Sequence, residues 1–247
     1  MGANATPRNR TAIAIACLLA LLGFATVVAM SVREADAKSA TVLGATKATP
    51  KSPCPDSKTA SDCRITVRVT GIQTRADGRR APFKVPSDGR IVAWSVQIGK
   101  VDWSGAPDLT SALDDKYGVS KARLAVLKPQ KKRKFKLTKQ TPRLDLESRL
   151  GSQPIITLNK PLKVKKGQRI GLTMSGWFSG FVDRLDAGEN QWIASRTDEG
   201  CLSREAKKGL TKPQHKIGST RKYACQFNGE RLLYWAYFVP KGGGKKN

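Results

Sequence analysis

The sequence predicts an all-β chain: a two-sheet antiparallel β-sandwich carrying one short helix, with a jelly-roll among the topologies it allows. Three observations carry this prediction. Apolar residues recur with a period of two along a series of short stretches, turn-forming residues punctuate those stretches, and four cysteines follow an apolar N-terminal segment.

The chain has 247 residues, and its first stretch stands apart from the fold. Arg8 and Arg10 precede an uncharged run over 11–30, followed by a polar segment with small residues at Ala35 and Ala37. Basic residues, an apolar core and an A-x-A site form the pattern of a secretory signal ending at Ala37. The run is 20 residues long, against the ~7–15 of an ordinary signal core, and about that many span a bilayer. An uncleaved anchor over 11–30, with the following domain outside, is the alternative. Cys17 follows Ala14-Ile-Ala in a context faintly like a lipidation site, but too little apolar sequence precedes it, so it reads as a membrane-segment cysteine. Residues 38–53 are small, polar and proline-containing and read as a flexible linker, and the tail 241–247 reads as disordered and basic.

Between them, 54–240 amounts to one domain. Ile65, Val67 and Val69 alternate with Arg64, Thr66, Arg68 and Thr70. Val92, Trp94, Val96 and Ile98 form one face of the next strand, with Ala93, Ser95 and Gln97 on the other. The stretch 109–117 is the one segment with helical character. Leu124 and Val126 mark a third strand, and Phe135 and Leu137 alternate with Lys134, Lys136 and Thr138 in a fourth, which makes Phe135 a core residue. Further strands are expected over 155–158, 169–174, 191–195, 223–227 and 232–239, the last apolar on both faces and therefore central and covered on both sides. Turns fall at Asp77-Gly78, Pro86-Ser-Asp-Gly89, Lys166-Gly167 and Ala187-Gly188.

Residues 1–37 hold three cations and two acids, so the formal charge of +26 becomes +25 for the rest. That excess exceeds what solubility needs and implies attraction to polyanions: anionic lipid headgroups at a membrane surface, acidic wall polymers or nucleic acid. Cys54, Cys63, Cys201 and Cys225 form an even set in an exported chain and read as disulfides; three connectivities are possible, and the local pairs Cys54–Cys63 and Cys201–Cys225 are favoured. No C-x-x-C occurs and His215 is the only histidine, so no metal-ligand set is expected, and no cofactor motif is present.

Lys131, Lys132, Arg133 and Lys134 lie in the densest basic cluster, Lys128-Pro-Gln-Lys-Lys-Arg-Lys-Phe-Lys136, in a turn between two strands. Such a tip can grip phosphates as point charges, although a solvated, gatekept hairpin is the commoner explanation of such a run. No nucleic-acid signature accompanies it, so specific nucleic acid is not expected. Trp177, in Ser-Gly-Trp-Phe-Ser-Gly, stands near Asp183, Asp186, Glu189 and Asn190; an aromatic with polar acceptors in a glycine-rich loop suits a sugar, and the three carboxylates would be the site of a hydrolase, but a sandwich-edge loop with a half-buried tryptophan is the favoured reading. Trp103 and Trp192 also fall near loops. His215 is flanked by cations and lacks a G-x-S-x-G or similar context.

Ordered motifs run through most of 54–240: Phe83-Lys-Val-Pro-Ser-Asp-Gly-Arg-Ile-Val-Ala-Trp-Ser95, Ala122-Arg-Leu-Ala-Val-Leu127, Leu158-Asn-Lys-Pro-Leu-Lys-Val-Lys-Lys-Gly-Gln-Arg-Ile-Gly-Leu172, Trp192-Ile-Ala-Ser-Arg196, Gly218-Ser-Thr-Arg221 with Cys225, and Leu232-Leu-Tyr-Trp-Ala-Tyr-Phe-Val-Pro240. With these the chain resembles a group of uncharacterised exported proteins of high-GC Gram-positive bacteria. The resemblance implies export and a single β-rich domain, and it transfers no catalytic residue, cofactor or ligand. The function expected is a non-catalytic exported or cell-surface module binding an anionic polymer or carbohydrate; a secreted hydrolase and a purely structural surface protein are the alternatives.

Overall fold

The computed structural model describes residues 40–47, 50–54, 64–102, 107–196, 201 and 215–242. Segment 1–37, Cys63, Trp103 and the tail from 243 lie outside the described residues, and with them the signal or anchor expected over 11–30. Among the described residues no helix is long and apolar enough to cross a membrane.

Among the described residues, fifteen strands and one helix follow in the order β1 (Thr41–Leu43), β2 (Thr66–Ala76), β3 (Arg79–Arg80), β4 (Gly89–Val96), α1 (Leu109–Tyr117), β5 (Lys121–Pro129), β6 (Lys134–Gln140), β7 (Leu144–Asp145), β8 (Ile155–Val164), β9 (Arg169–Phe178), β10 (Phe181–Val182), β11 (Gln191–Ala194), β12 (Thr220–Lys222), β13 (Cys225–Asn228), β14 (Arg231–Leu232) and β15 (Tyr234–Pro240). A 3-10 turn spans Glu147–Arg149. The large sheet runs β12-β6-β5-β9-β2-β11-β13, with β3 and β7 added at β2 and β5, and the small one runs β1-β15-β4-β8. Every strand pairing is antiparallel. This is the all-β sandwich expected, with sheets more unequal than those of an eight-stranded jelly-roll.

Inner-face residues of both sheets meet in one core: Ile91, Trp94, Tyr234 and Phe238 of the small sheet against Val69, Leu124, Ile170 and Trp192 of the large. Phe83 stacks on Tyr234 at 4.0 Å, and the Tyr234 hydroxyl donates to the Ile170 carbonyl across the two sheets. The predicted inner face of β4 is out of phase at one end. A bulge against both neighbours lies between Ile91 and Ala93, so Ile91 rather than Val92 joins Trp94 in the core. A second irregularity lies between Val67 and Val69, where Arg68 takes φ 43°. Val69 therefore faces the main core, while Val67 joins Trp177, Leu113 and Val101 in a satellite cluster. Helix α1 covers that cluster with Leu109, Leu113 and Tyr117, spaced i, i+4, i+8 along one face. The Asp102 carboxylate caps it, accepting the Thr110 amide at 2.8 Å and the Thr110 hydroxyl at 2.6 Å.

Two expectations need correcting. The stretch 38–53 is not wholly a linker: β1 pairs with β15, and Leu43 is buried in the main core. One apolar side chain among small neighbours is enough to dock a three-residue strand on an existing edge. The single strand expected over 232–239 breaks at Leu233, whose amide donates to Gly180 and whose carbonyl accepts from Gln97. Arg231 and Leu232 thereby pair with β10, and Tyr234 onward with β4. Of the two apolar faces of β15, the inner one is fully buried, whereas Tyr237 and Val239 on the other are partly exposed.

Arg231 is the buried tie at this crossing. Its guanidinium meets the Asp77 carboxylate at 2.9 Å and donates to Thr46 Oγ1 at 2.7 Å, fastening β14 to the β2–β3 turn and to the segment after β1. Cys201 and Cys225 form the disulfide favoured from sequence. Cys54 is disulfide-bonded as well, and its expected partner Cys63 lies outside the described residues.

Two stability measurements test this account. A Cβ at Gly176 would lie 2.2 Å from the Val119 carbonyl oxygen and 2.3 Å from that of Gly118, both backbone atoms that cannot yield. Gly176→Ala is expected to lower urea stability by about 2 kcal/mol, the scale of overpacking. Joint replacement of Cys201 and Cys225 by alanine releases a loop with a sequence separation of 24 and is expected to lose about 3 kcal/mol on the loop-closure model.

Candidate functional site

The side chains singled out from sequence separate into two groups. Lys131, Lys132, Arg133 and Lys134 form the tip of the β5–β6 hairpin, all exposed. The Lys134 amide donates to the Lys131 carbonyl, and the two central residues have φ 58° and 53°. Both central residues at positive φ is the requirement of a type I′ turn, usually met by Asn-Gly or Asp-Gly. Strand β12 lies along β6, with Arg221 opposite Phe135 and Lys222 opposite Lys134, and so adds two cations beside the tip. Among the described residues, none of Lys128, Lys131, Lys132, Arg133, Lys134 and Lys136 makes an ion pair.

The second group is spent on structure. Trp177 lies on β9, fully buried beneath α1, with its indole N–H donating to Asp114 Oδ1 at 2.6 Å. The glycines around it suggested an open loop, but Gly176 instead lets the 118–119 backbone approach the strand. Trp94, Trp192 and Trp235 are also at most 6% exposed, so no tryptophan among the described residues offers a face to a sugar ring. Asp183 pairs with Arg64 at 2.9 Å. Asp186 accepts the amides of Gly188 and Glu189 and shapes their turn, while Glu189 is exposed. A carboxyl not foreseen, Glu230, accepts the Trp192 indole N–H at 2.9 Å; burial first, then the Asp183 charge, raises its pKa.

His215 is buried. Its Nε2 faces the Ser219 carbonyl at 2.8 Å and so carries the proton, which leaves Nδ1 to accept from the Tyr223 hydroxyl at 3.0 Å. Burial holds its pKa below 6.5, with Arg221 adding to the effect and the bond to Ser219 opposing it. Burial also pushes the Tyr223 hydroxyl far above its ordinary range. Thr70, Thr173 and Gln140 continue the polar seam across the outer face of the large sheet. This histidine holds the approach to β12 in place and presents no base to a substrate.

A groove of about 250 Å³ opens on that outer face, and the basic hairpin forms its rim. Ile72, Phe135 and Ile193 line it with apolar surface, Arg133 and Arg169 with cations, and Gln191 and Gln226 with amides. Among the described residues no carboxylate lines it. Arg169 is partly buried, its guanidinium donating to the Gly167 carbonyl at 2.8 Å, and burial lowers its pKa from the usual guanidinium value. Thr74 donates to Gln191, while Gln191 and Gln226 both donate to Asn228 Oδ1, which fixes the amide wall. Sequence reading found Arg133 through its charge run. It missed the rest, since Phe135 reads as core and Arg169 as the start of a strand. Among the described residues no group of three or more His, Cys, Asp or Glu is placed to hold a metal ion.

The buried histidine has a pH signature. Its folded pKa is depressed, so its contribution is complete above about 6.5, the ordinary histidine value, and is lost as pH falls from there toward the folded value. Between pH 7.5 and 5 the His215 contribution to stability in urea is expected to be lost. His215→Gln is expected to be less stable at pH 7.5 and to show a shallower loss over that range.

Comparison of the chain with protein-family models, with curated proteins and with solved structures finds no match.

Proposed function

We propose that this chain is an exported, non-catalytic module that binds an anionic polymer at the cell surface, and that the β5–β6 hairpin is its primary contact. The observation carrying this reading is a cluster of six exposed cations without an ion pair among the described residues, beside Arg221 and Lys222 of β12 and on a chain of net charge +26. Such a cluster draws polyanions from a distance and releases their counterions on binding. The apolar segment 11–30 ahead of Ala35-Asp-Ala37 supports export. The Cys201–Cys225 disulfide agrees with an oxidising compartment. Binding is favoured over hydrolysis because Asp183 and Asp186, the carboxylates a hydrolase would use, are held in an ion pair and a turn.

The test is retention of the purified exported protein on immobilised polyuronate and on a phosphate-bearing glycan across a salt series. Retention at low salt that falls steeply with added salt is expected. On nucleic-acid polyanions each cation that neutralises a phosphate adds ~0.7–0.9 to the slope of log affinity against log salt. Joint Lys131→Gln, Lys132→Gln and Lys134→Gln is therefore expected to lower that slope by about 2 to 3. Stability should be unchanged within ~0.5 kcal/mol, as for exposed positions generally. No retention of the unaltered protein at low salt overturns the reading.

A further inference from the structure

We infer that the groove beside the hairpin is a subsite for one acidic pyranose ring of the bound polymer, with the acidic substituent on Arg133 and Arg169 and the ring against Ile72, Ile193 and Phe135. This rests on the polyanion reading and says what the polymer is made of. Three features of the groove meet in that one ligand. Its floor is apolar, as is the C–H face of a pyranose. Its cations are both arginines, whose planar forks take a carboxylate or phosphate through paired hydrogen bonds. Its remaining wall is a set of tethered glutamines, which offer carbonyl acceptors and N–H donors to hydroxyls.

Size and charge narrow the choice. A volume of about 250 Å³ falls just below the ~300 Å³ at which drug-sized pockets begin, which suits one ring with its substituent rather than a chain of rings or an extended acyl tail. Arg169 is partly buried with no carboxylate among the described residues along the groove to answer it, so a cation stands ready in a partly dry setting. In that setting a charge-assisted bond is worth more than the same bond at the exposed hairpin tip. The hairpin thus supplies long-range attraction for any polyanion, and the groove selects among polyanions by the ring that carries the charge.

The experiment titrates the exported protein with digalacturonate, glucose 6-phosphate, galactose, inorganic phosphate and phosphatidylglycerol–phosphatidylcholine vesicles, reading the methyl resonances of Ile72 and Ile193. Ile155, exposed on β8 of the small sheet, is the control. Shifts confined to Ile72 and Ile193 with either acidic sugar, at least tenfold weaker with galactose and with inorganic phosphate, are expected. Comparable binding of galactose would remove the role of the arginines, and comparable binding of inorganic phosphate would remove the ring; either overturns the inference. Response to the vesicles alone overturns it in favour of a lipid surface. Arg169→Gln and, as a variant at an exposed strand position, Gln226→Glu are each expected to weaken the acidic sugars at least tenfold. If both variants bind the sugars and the polyuronate column as the unaltered protein does, while the hairpin triple variant loses retention, the groove inference falls and the polyanion reading stands. If the unaltered protein is not retained at low salt, the polyanion reading falls first.

Discussion

The large sheet has to be dry on both faces at its centre, and much of the structure answers to that requirement. Its inner face meets the small sheet across the main core, while Ile72, Ala125, Leu127, Leu137, Ile193 and Tyr223 form a second apolar layer on the outer face. Burying each large aliphatic there contributes about 2 kcal/mol, an upper value because the unfolded chain already hides part of that surface. Strands β2, β5 and β9 must therefore alternate between two dry environments instead of between oil and water. The polar groups among them have to be satisfied internally, which is why the Thr70 and Thr173 hydroxyls bond to each other and Gln140 donates to Thr173. The groove lies beside this second layer, where it meets the long polar side chains of the sheet's surface.

The acids are distributed by the same logic. Asp77 answers the buried Arg231, Asp183 answers Arg64, Asp102 caps α1, and Asp114 and Glu230 receive the indole N–H groups of Trp177 and Trp192. Asp88, in a surface turn, accepts from Lys165 and from the Lys166 amide, and that bonding holds its pKa below the usual carboxylate value. With 19 acids against 45 lysines and arginines, committing so many carboxylates to ties and caps leaves the basic hairpin without an acidic partner among the described residues. The net charge thus becomes local information once the acids have been placed. It also places two acids that resemble a catalytic set along the chain, Asp183 and Asp186, in an ion pair and a turn.

What was legible in the sequence follows from how local each signal is. Helix α1 was legible because Leu109, Leu113 and Tyr117 announce a 3.6-residue period within nine residues. Most strands were legible by alternation, and the Cys201–Cys225 pair by an even cysteine set behind an apolar N-terminal segment. The irregularities at Arg68 and beside Val92 were not, since each depends on the partner strand to reveal the extra residue. β1 escaped because its propensity is weak and its stability comes from β15. The hairpin cations showed as a charge run, but the groove draws Ile72, Phe135, Arg169, Ile193 and Gln226 from five strands of the large sheet. No local pattern could assemble them. Trp177 misled because glycines beside an aromatic read alike whether they free a loop or admit a neighbouring backbone.

The hairpin tip holds two of the six non-glycine residues at positive φ among the described residues, and the one adjacent pair of them. Lys132 and Arg133 sit at positive φ, where a non-glycine residue costs about 1 kcal/mol, and they add like-charge repulsion to that strain. Packing gives Lys132 nothing in return, since it is exposed, and glycine or asparagine at these two positions would make the same turn with less strain. Arg133 does more than cap the turn: its carbonyl accepts the Tyr223 amide, which registers β12 against β6, and its side chain lines the groove. The strained backbone thus aims one cation of the cluster at the apolar floor while its neighbours face solvent. Local rules tend to be broken where a site asks for something the fold does not. Here a strained turn and a half-buried arginine, Arg169, with no carboxylate along its groove among the described residues, meet at one place on the surface.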